Sequence, residues 1–213
     1  SVANTAVNAL TAISTAAQVN NATAGSPSTT DYANAGVTGV TAGNLAAINS
    51  ALNTAAVIGT SVDSAAEVQA VVNAYVAVLA AADGTADGDA GATQAQYGLL
   101  GITGLTAATT SLLNTAVDVS ANDKTAVDTA AELQALADAA AAVATGAAGG
   151  TAPTLAQLQL LGVTGVTADN LSAVQAAIAA TADDASGVDT LAELQSVANT
   201  AVNALTAIST AAQ

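Results

Sequence analysis

Gly36-Val-Thr-Gly-Val-Thr41, Gly101-Ile-Thr-Gly-Leu-Thr106 and Gly162-Val-Thr-Gly-Val-Thr167 are three copies of one phrase, and its reading decides the fold. The first glycine suits the position just past a helix, where the backbone turns left-handed and a Cβ is penalised. The apolar residue after it can fold back onto the helix just left, as in a Schellman ending. The closing threonine suits an N-cap, its hydroxyl accepting from an orphan amide of the next helix. Val40 with Leu45, and Val166 with Leu171, then occupy the hydrophobic-staple positions; in the middle copy Leu105 faces Thr110 and the staple is missing. The phrase predicts a helix-to-helix corner, used three times.

Outward from the corners, a second phrase recurs at the same intervals. It reads Val62-Asp-Ser-Ala-Ala-Glu-Val-Gln69, Val127-Asp-Thr-Ala-Ala-Glu-Leu-Gln134 and Val188-Asp-Thr-Leu-Ala-Glu-Leu-Gln195. Both phrases step by 65 and then 61 residues (36 to 101 to 162; 62 to 127 to 188). Residues 1–18 are identical to residues 196–213, an offset of 195. Two markers with the same spacing define a tandem array.

Each repeat reads as three helices. The first opens at Ser28, Thr93 or Thr154, with Asp31, Gln96 or Gln157 three residues on, and ends at the corner glycine. The second opens at Thr41, Thr106 or Thr167, with stripes such as Leu45, Ile48, Leu52 and Leu171, Val174, Ile178. The third opens on a capping box, Ser64 with Glu67, Thr129 with Glu132 and Thr190 with Glu193. Its stripe runs Val68, Val71, Val72, Tyr75, Leu79 in one copy and Leu194, Val197, Ala201, Val202, Leu205, Ile208 in another. Linkers 20–27, 83–92 and 146–153 hold both prolines and much of the glycine, and mark the boundaries. The expected organisation is a third helix of a preceding repeat at 1–18, then repeats at 19–83, 84–145 and 146–213. The expected fold is all-α, tandem three-helix bundles forming an elongated rod or filament. The stripe Val2, Val7, Leu10, Ile13 of the first helix is expected to need covering, most simply by a neighbouring chain, because a lone helix of this length is marginal in water.

Composition narrows function mostly by exclusion. Sixteen acids against one base leave a net charge of −15. That opposes nucleic acid, whose phosphates need Lys and Arg, and anionic membrane surfaces. No apolar run approaches the length of a membrane span, and no signal-peptide pattern is present. Without His or Cys, the usual general base, thiol nucleophile and zinc ligands are missing.

Lys124, the only amine side chain, lies in the polar stretch Ser120-Ala-Asn-Asp-Lys-Thr125 and reads as a solvated loop lysine rather than a Schiff-base former. Paired carboxylates can hydrolyse glycosides, but Asp63, Glu67, Asp128, Glu132, Asp189 and Glu193 sit at helix starts, where they complement the dipole. Asp83-Gly-Thr-Ala-Asp87-Gly-Asp89 is the one acidic cluster suited to a hard cation; it lacks EF-hand spacing and reads as a solvated linker. Tyr32 and Tyr97 hold equivalent places, where the third copy has Leu158, and read as half-buried packing sites rather than a ligand platform.

The order of short helix, glycine-threonine corner, second helix with a Leu-Asn pair, and Glu-Leu-Gln resembles the GA module, best at Tyr97-Gly-Leu-Leu-Gly-Ile-Thr103, Leu113-Asn114 and Glu132-Leu133-Gln134. That family comprises small three-helix bundles on bacterial surface proteins, some of which bind serum albumin. Similar units are arrayed in large repetitive adhesins. The resemblance implies the fold and a cell-surface, extracellular setting. It carries no albumin-binding residue over, because Ala107-Ala-Thr-Thr110 stands where the family has aromatic and lysine-rich positions. The expected function is a structural segment of a bacterial surface filament or adhesin stalk that associates with neighbouring repeats or chains. The alternative is a GA-like module capturing a host protein. No catalytic, cofactor or metal residue is expected, and no nucleic-acid or membrane partner.

Overall fold

The computed structural model describes residues 2–23, 26–85, 87–119, 125–182 and 184–211. Among these the protein is all-α, with ten α-helices, one 3-10 turn at Gly59–Ser61 and no strand. In chain order they are α1 (Val2–Gln18), α2 (Thr29–Asn34), α3 (Leu45–Leu52), α4 (Ala65–Ala81), α5 (Gln94–Leu99), α6 (Ala107–Asp118), α7 (Ala130–Ala147), α8 (Leu155–Leu160), α9 (Leu171–Ile178) and α10 (Leu191–Ala211). No described helix is long and apolar enough to cross a membrane.

The corners form as read. Gly36, Gly101 and Gly162 have φ of +84°, +81° and +95°, the left-handed region glycine adopts without a Cβ penalty. Val37, Ile102 and Val163 donate back to the carbonyls of Tyr32, Tyr97 and Leu158 at 2.9, 3.0 and 3.0 Å, the six-to-one bond of a Schellman ending. All three apolar residues are buried.

The far side of the corner differs between copies. Thr106 caps α6 as expected, exchanging hydrogen bonds with Thr109. In the outer copies the regular helix begins four residues later than the threonine, at Leu45 and Leu171. The cause is Asn44 and Asn170. Each accepts from the threonine N–H (2.7 and 2.8 Å) and donates to the carbonyl of Gly39 or Gly165, holding a turn ahead of the helix.

The first and third helices start where the capping boxes place them. Ser28/Asp31, Thr93/Gln96 and Thr154/Gln157 are complete boxes, as are Ser64/Glu67, Thr129/Glu132 and Thr190/Glu193.

The chain divides into two compact units, 1–84 with 90–103 and 121–134, and 85–89 with 104–120 and 135–213. Residues of the middle repeat are thus shared between them. In the first unit, α1 lies on α2 and the 3-10 turn, and α4 lies on both α3 and α5. Within this unit α4 therefore meets its own repeat and the one that follows. Its core is Ile13, Ile48, Leu52, Val68, Val72, Tyr75 and Leu100, every one 2% exposed or less. In the second unit, α10 lies on α9 and α6, around Leu112, Leu113, Val143, Val174, Ile178 and Leu194.

The stripe expected on α1 is buried only in part, fully at Ile13 and partly at Leu10. Ala9, Ile13 and Ala17 are buried, covered within the chain, whereas Val2 and Val7 are exposed. Gly59 makes this possible: a Cβ there would come within 2.8 Å of the Ser14 carbonyl oxygen, so only glycine lets the turn approach α1 so closely. On α10, Leu194 and Ala201 are buried, but Leu205 and Ile208 are exposed.

Candidate functional site

Among the described residues, several features outside the helix caps have the polarity or shape of a site, and three of them include a side-chain hydrogen bond. The first is a buried tyrosine–asparagine pair. Tyr32 is fully buried, not half-buried, because its hydroxyl has an interior acceptor: it donates to Asn49 Oδ1 at 2.7 Å. Asn49 Nδ2 in turn donates to the carbonyls of Thr23 and Pro27 at 2.7 and 2.9 Å. Tyr97 is equally buried, and Tyr75 donates to the Val127 carbonyl at 3.2 Å. Burial pushes all three hydroxyls well above the usual tyrosine value. They cannot present a stacking face to a ligand, since no ring reaches solvent.

The second feature is a pair of equivalent clefts, one in each unit. Ser50, Asn53, Gly101, Ala130 and Gln134 line the first, of about 470 Å³. Thr115, Asp118, Gly162, Leu191 and Gln195 line the second, of about 370 Å³. The lining positions correspond one to one by the 65- and 61-residue steps. Each cleft lies beside a joint between one repeat's second helix and the next repeat's third: Ser50 Oγ accepts from Ala130 N at 2.8 Å, and Thr115 Oγ1 from Leu191 N at 2.9 Å. The hydroxyls thereby bind one orphan amide in the first turn of α7 and of α10.

The third feature is acidic. Asp87, Asp89 and Asp118 bring one carboxylate oxygen each to within 4.8 Å of one another. The sequence pointed to the linker but not to Asp118, which arrives from the end of α6, some thirty residues away. Asp83, counted with the linker in the sequence, belongs to the first unit. Asp118 is 5% exposed, and its Oδ2 accepts from Gly88 N at 3.2 Å.

The remaining sequence candidates resolve simply. Lys124 lies outside the described residues. Glu67, Glu132 and Glu193 accept from the N–H and hydroxyl of the residues that cap their helices. The Ser28 hydroxyl and N–H hold Asp31 below its ordinary value, and the Ser64 hydroxyl does the same for Glu67. Asp189 is raised by burial and by its neighbour Glu193, which is itself lowered by hydrogen bonds from Asp189 and Thr190. Each acid that is shifted in this way is engaged by its own cap.

Comparison with family models, with curated proteins and with solved structures finds no match to this chain.

Proposed function

We propose that the chain is a structural segment of an extracellular bacterial repeat protein. Its repeats are three-helix bundles of the GA-like kind, continued end to end into a rod that forms the body of a surface filament or the stalk of a large adhesin. The observation that carries this reading is the repeated joint, Ser50 to Ala130 and Thr115 to Leu191, which links consecutive repeats by the same pair of groups. A joint that recurs with the sequence period propagates; a solenoid of this kind draws its stability from neighbour interfaces.

Self-association follows from the same periodicity. Ile208 occupies in α10 the place that Ile13 occupies in α1, and Ile13 is buried while Ile208 is exposed. In the assembled polymer, a following repeat covers Ile208 as α2 and the Gly59–Ser61 turn cover Ile13. Acidity keeps such an alanine-rich polymer dispersed.

Small-angle scattering on the 213-residue chain, with micrographs of the same fractions, tests the reading. A compact chain of this length has a radius of gyration of about 17 Å. A clearly larger value, with end-to-end oligomers that grow with concentration, is the expected result. A value at the compact limit overturns the rod.

A further inference from the structure

We propose that Asp87, Asp89 and Asp118 form a calcium site that fastens linker residues 87–89 to the end of α6. Asp118 Oδ1 is fully enclosed and has no hydrogen-bond partner, while Oδ2 of the same carboxylate takes the Gly88 N–H. An enclosed carboxylate oxygen without a donor is among the more costly polar arrangements in a protein interior. Two further things make it worse. Asp118 is the last residue of α6, at the negative end of the helix dipole. And no described residue carries a positive side chain, since the single base of the sequence is Lys124. A bound cation relieves all three penalties at once.

The geometry suits one ion. Oxygens on opposite sides of a calcium are separated by about twice its 2.3–2.6 Å bond length, and the three carboxylates converge to within 4.8 Å. The donor set is oxygen only, the preference of hard cations rather than of zinc or copper. Gly88, at φ +88°, turns the backbone so that the carboxylates on either side of it converge. Calcium tolerates such an irregular, loop-borne set and completes its shell with water, whereas magnesium demands near-ideal octahedral geometry. Asp87 and Asp89 are exposed, so the ion reaches Asp118 from solvent.

The other repeats act as internal controls. Where the second repeat has Asp118, the first has Asn53 and the third Ala179, both exposed. Neither of the other linkers has the Asp-Gly-Asp pair. The buried acid and the linker acids occur together in one repeat and in neither of the others. With three carboxylates, the affinity falls in the range of extracellular modules, about 10⁻⁴ to 10⁻³ M.

The test is calorimetric titration of the 213-residue chain with calcium chloride, with thermal melts in EDTA and in millimolar calcium at matched ionic strength. The expected result is one calcium per chain and a Tm raised by about 2–4 °C, with magnesium bound at least tenfold more weakly. Asp118→Asn, which installs the residue of the first repeat, loses tenfold or more in affinity and melts no lower in EDTA. Asp169→Asn leaves binding unchanged. Should Asp118→Asn fail to fold, the exposed pair Asp87→Asn with Asp89→Asn gives the same readout. No calcium heat up to 10 mM, an equal response to magnesium, or binding that survives these substitutions overturns the proposal. The outcome does not depend on whether the chain belongs to a filament.

Discussion

Gln69 grips the backbone of Thr38 with both ends of its side-chain amide. Its Oε1 accepts from the Thr38 N–H at 2.8 Å, and its Nε2 donates to the Thr38 carbonyl at 3.0 Å. Gln134 does the same to Thr103, and Gln195 to Thr164. The two recurring phrases of the sequence are therefore halves of one clamp. The corner supplies a backbone with no intrahelical partner, and the third helix supplies the amide that satisfies it. Replacing Gln69 with Met, similar in length but unable to make either bond, should cost about 1–2 kcal/mol. That corresponds to a Tm lower by about 2–6 °C in thermal circular dichroism, with Gln195→Met giving a separate, additive loss.

Two corner glycines with the same backbone angle should differ in what they tolerate. Gly36 and Gly101 both have φ near +80°, so alanine at either position costs about 1 kcal/mol of backbone strain. Nothing lies within 4 Å of a Cβ built on Gly36, whereas one on Gly101 runs into the side chain of Thr54. Gly101→Ala should therefore destabilise by about 1–3 kcal/mol beyond Gly36→Ala. Adding Thr54→Ala to Gly101→Ala should recover part of that excess. Urea denaturation of the four chains measures the difference.

The Tyr32–Asn49 pair can be exchanged for the solution found in the third repeat. Tyr32→Phe leaves Asn49 Oδ1 buried without its donor, and should cost about 1–3 kcal/mol. The third repeat has Leu158 and Gln175 at these two places, and Gln175 Nε2 donates to the Pro153 carbonyl at 2.9 Å. Tyr32→Leu combined with Asn49→Gln should be more stable than Tyr32→Leu alone. Equal melting of those two chains would show that Asn49 is not the partner that matters.

Acid should loosen the helix starts. Asp31, Glu67 and Glu193 are held below their ordinary values by hydrogen bonds at the caps. A lowered carboxylate contributes stability that is fully present above its unfolded value and is lost as pH falls through the folded one. Asp189 is shifted upward, mainly by burial, and so acts in the opposite sense. Asp184 is lowered as well, by hydrogen bonds from Ser186; with four groups against one, the melting temperature should hold near neutrality and decline below about pH 4. Glu67→Gln, which can still cap but does not titrate, should flatten part of that decline in a pH series of thermal melts.

Much of the local structure was legible in the sequence because its causes are local. A capping box joins residues three apart, and a Schellman ending spans six, so Thr154 with Gln157, or Gly162 with Val163, could be read directly. The same locality explains the two misread helix starts, both in the outer repeats. The second helix reads as opening at Thr41 and Thr167, yet the Asn44 and Asn170 side chains accept from those threonine N–H groups, donate to the Gly39 and Gly165 carbonyls, and delay the helices to Leu45 and Leu171. The candidate site was legible only in part. Asp83, Asp87 and Asp89 stand out in the sequence as one acidic cluster, but nothing along the chain separates Asp83 from the other two or ties them to Asp118. Its counterpart Asn53 is exposed, and burial of that position in one repeat is a matter of what lies against it.

The identical stretches 1–18 and 196–213 separate the two levels. The sequence alone determined that both are helical over their described residues, since alanine-rich composition and spaced Val, Leu and Ile act within each segment. It could not determine which part is buried. In α1 the later residues Ala9, Ile13 and Ala17 are covered. In α10 it is the earlier Ala198 and Ala201, the counterparts of Ala3 and Ala6, that are covered, while Ile208 is exposed. Propensity belongs to a residue and its near neighbours, but removal of apolar surface from water belongs to whatever packs against it. The tertiary structure alone decided which half of each helix that was.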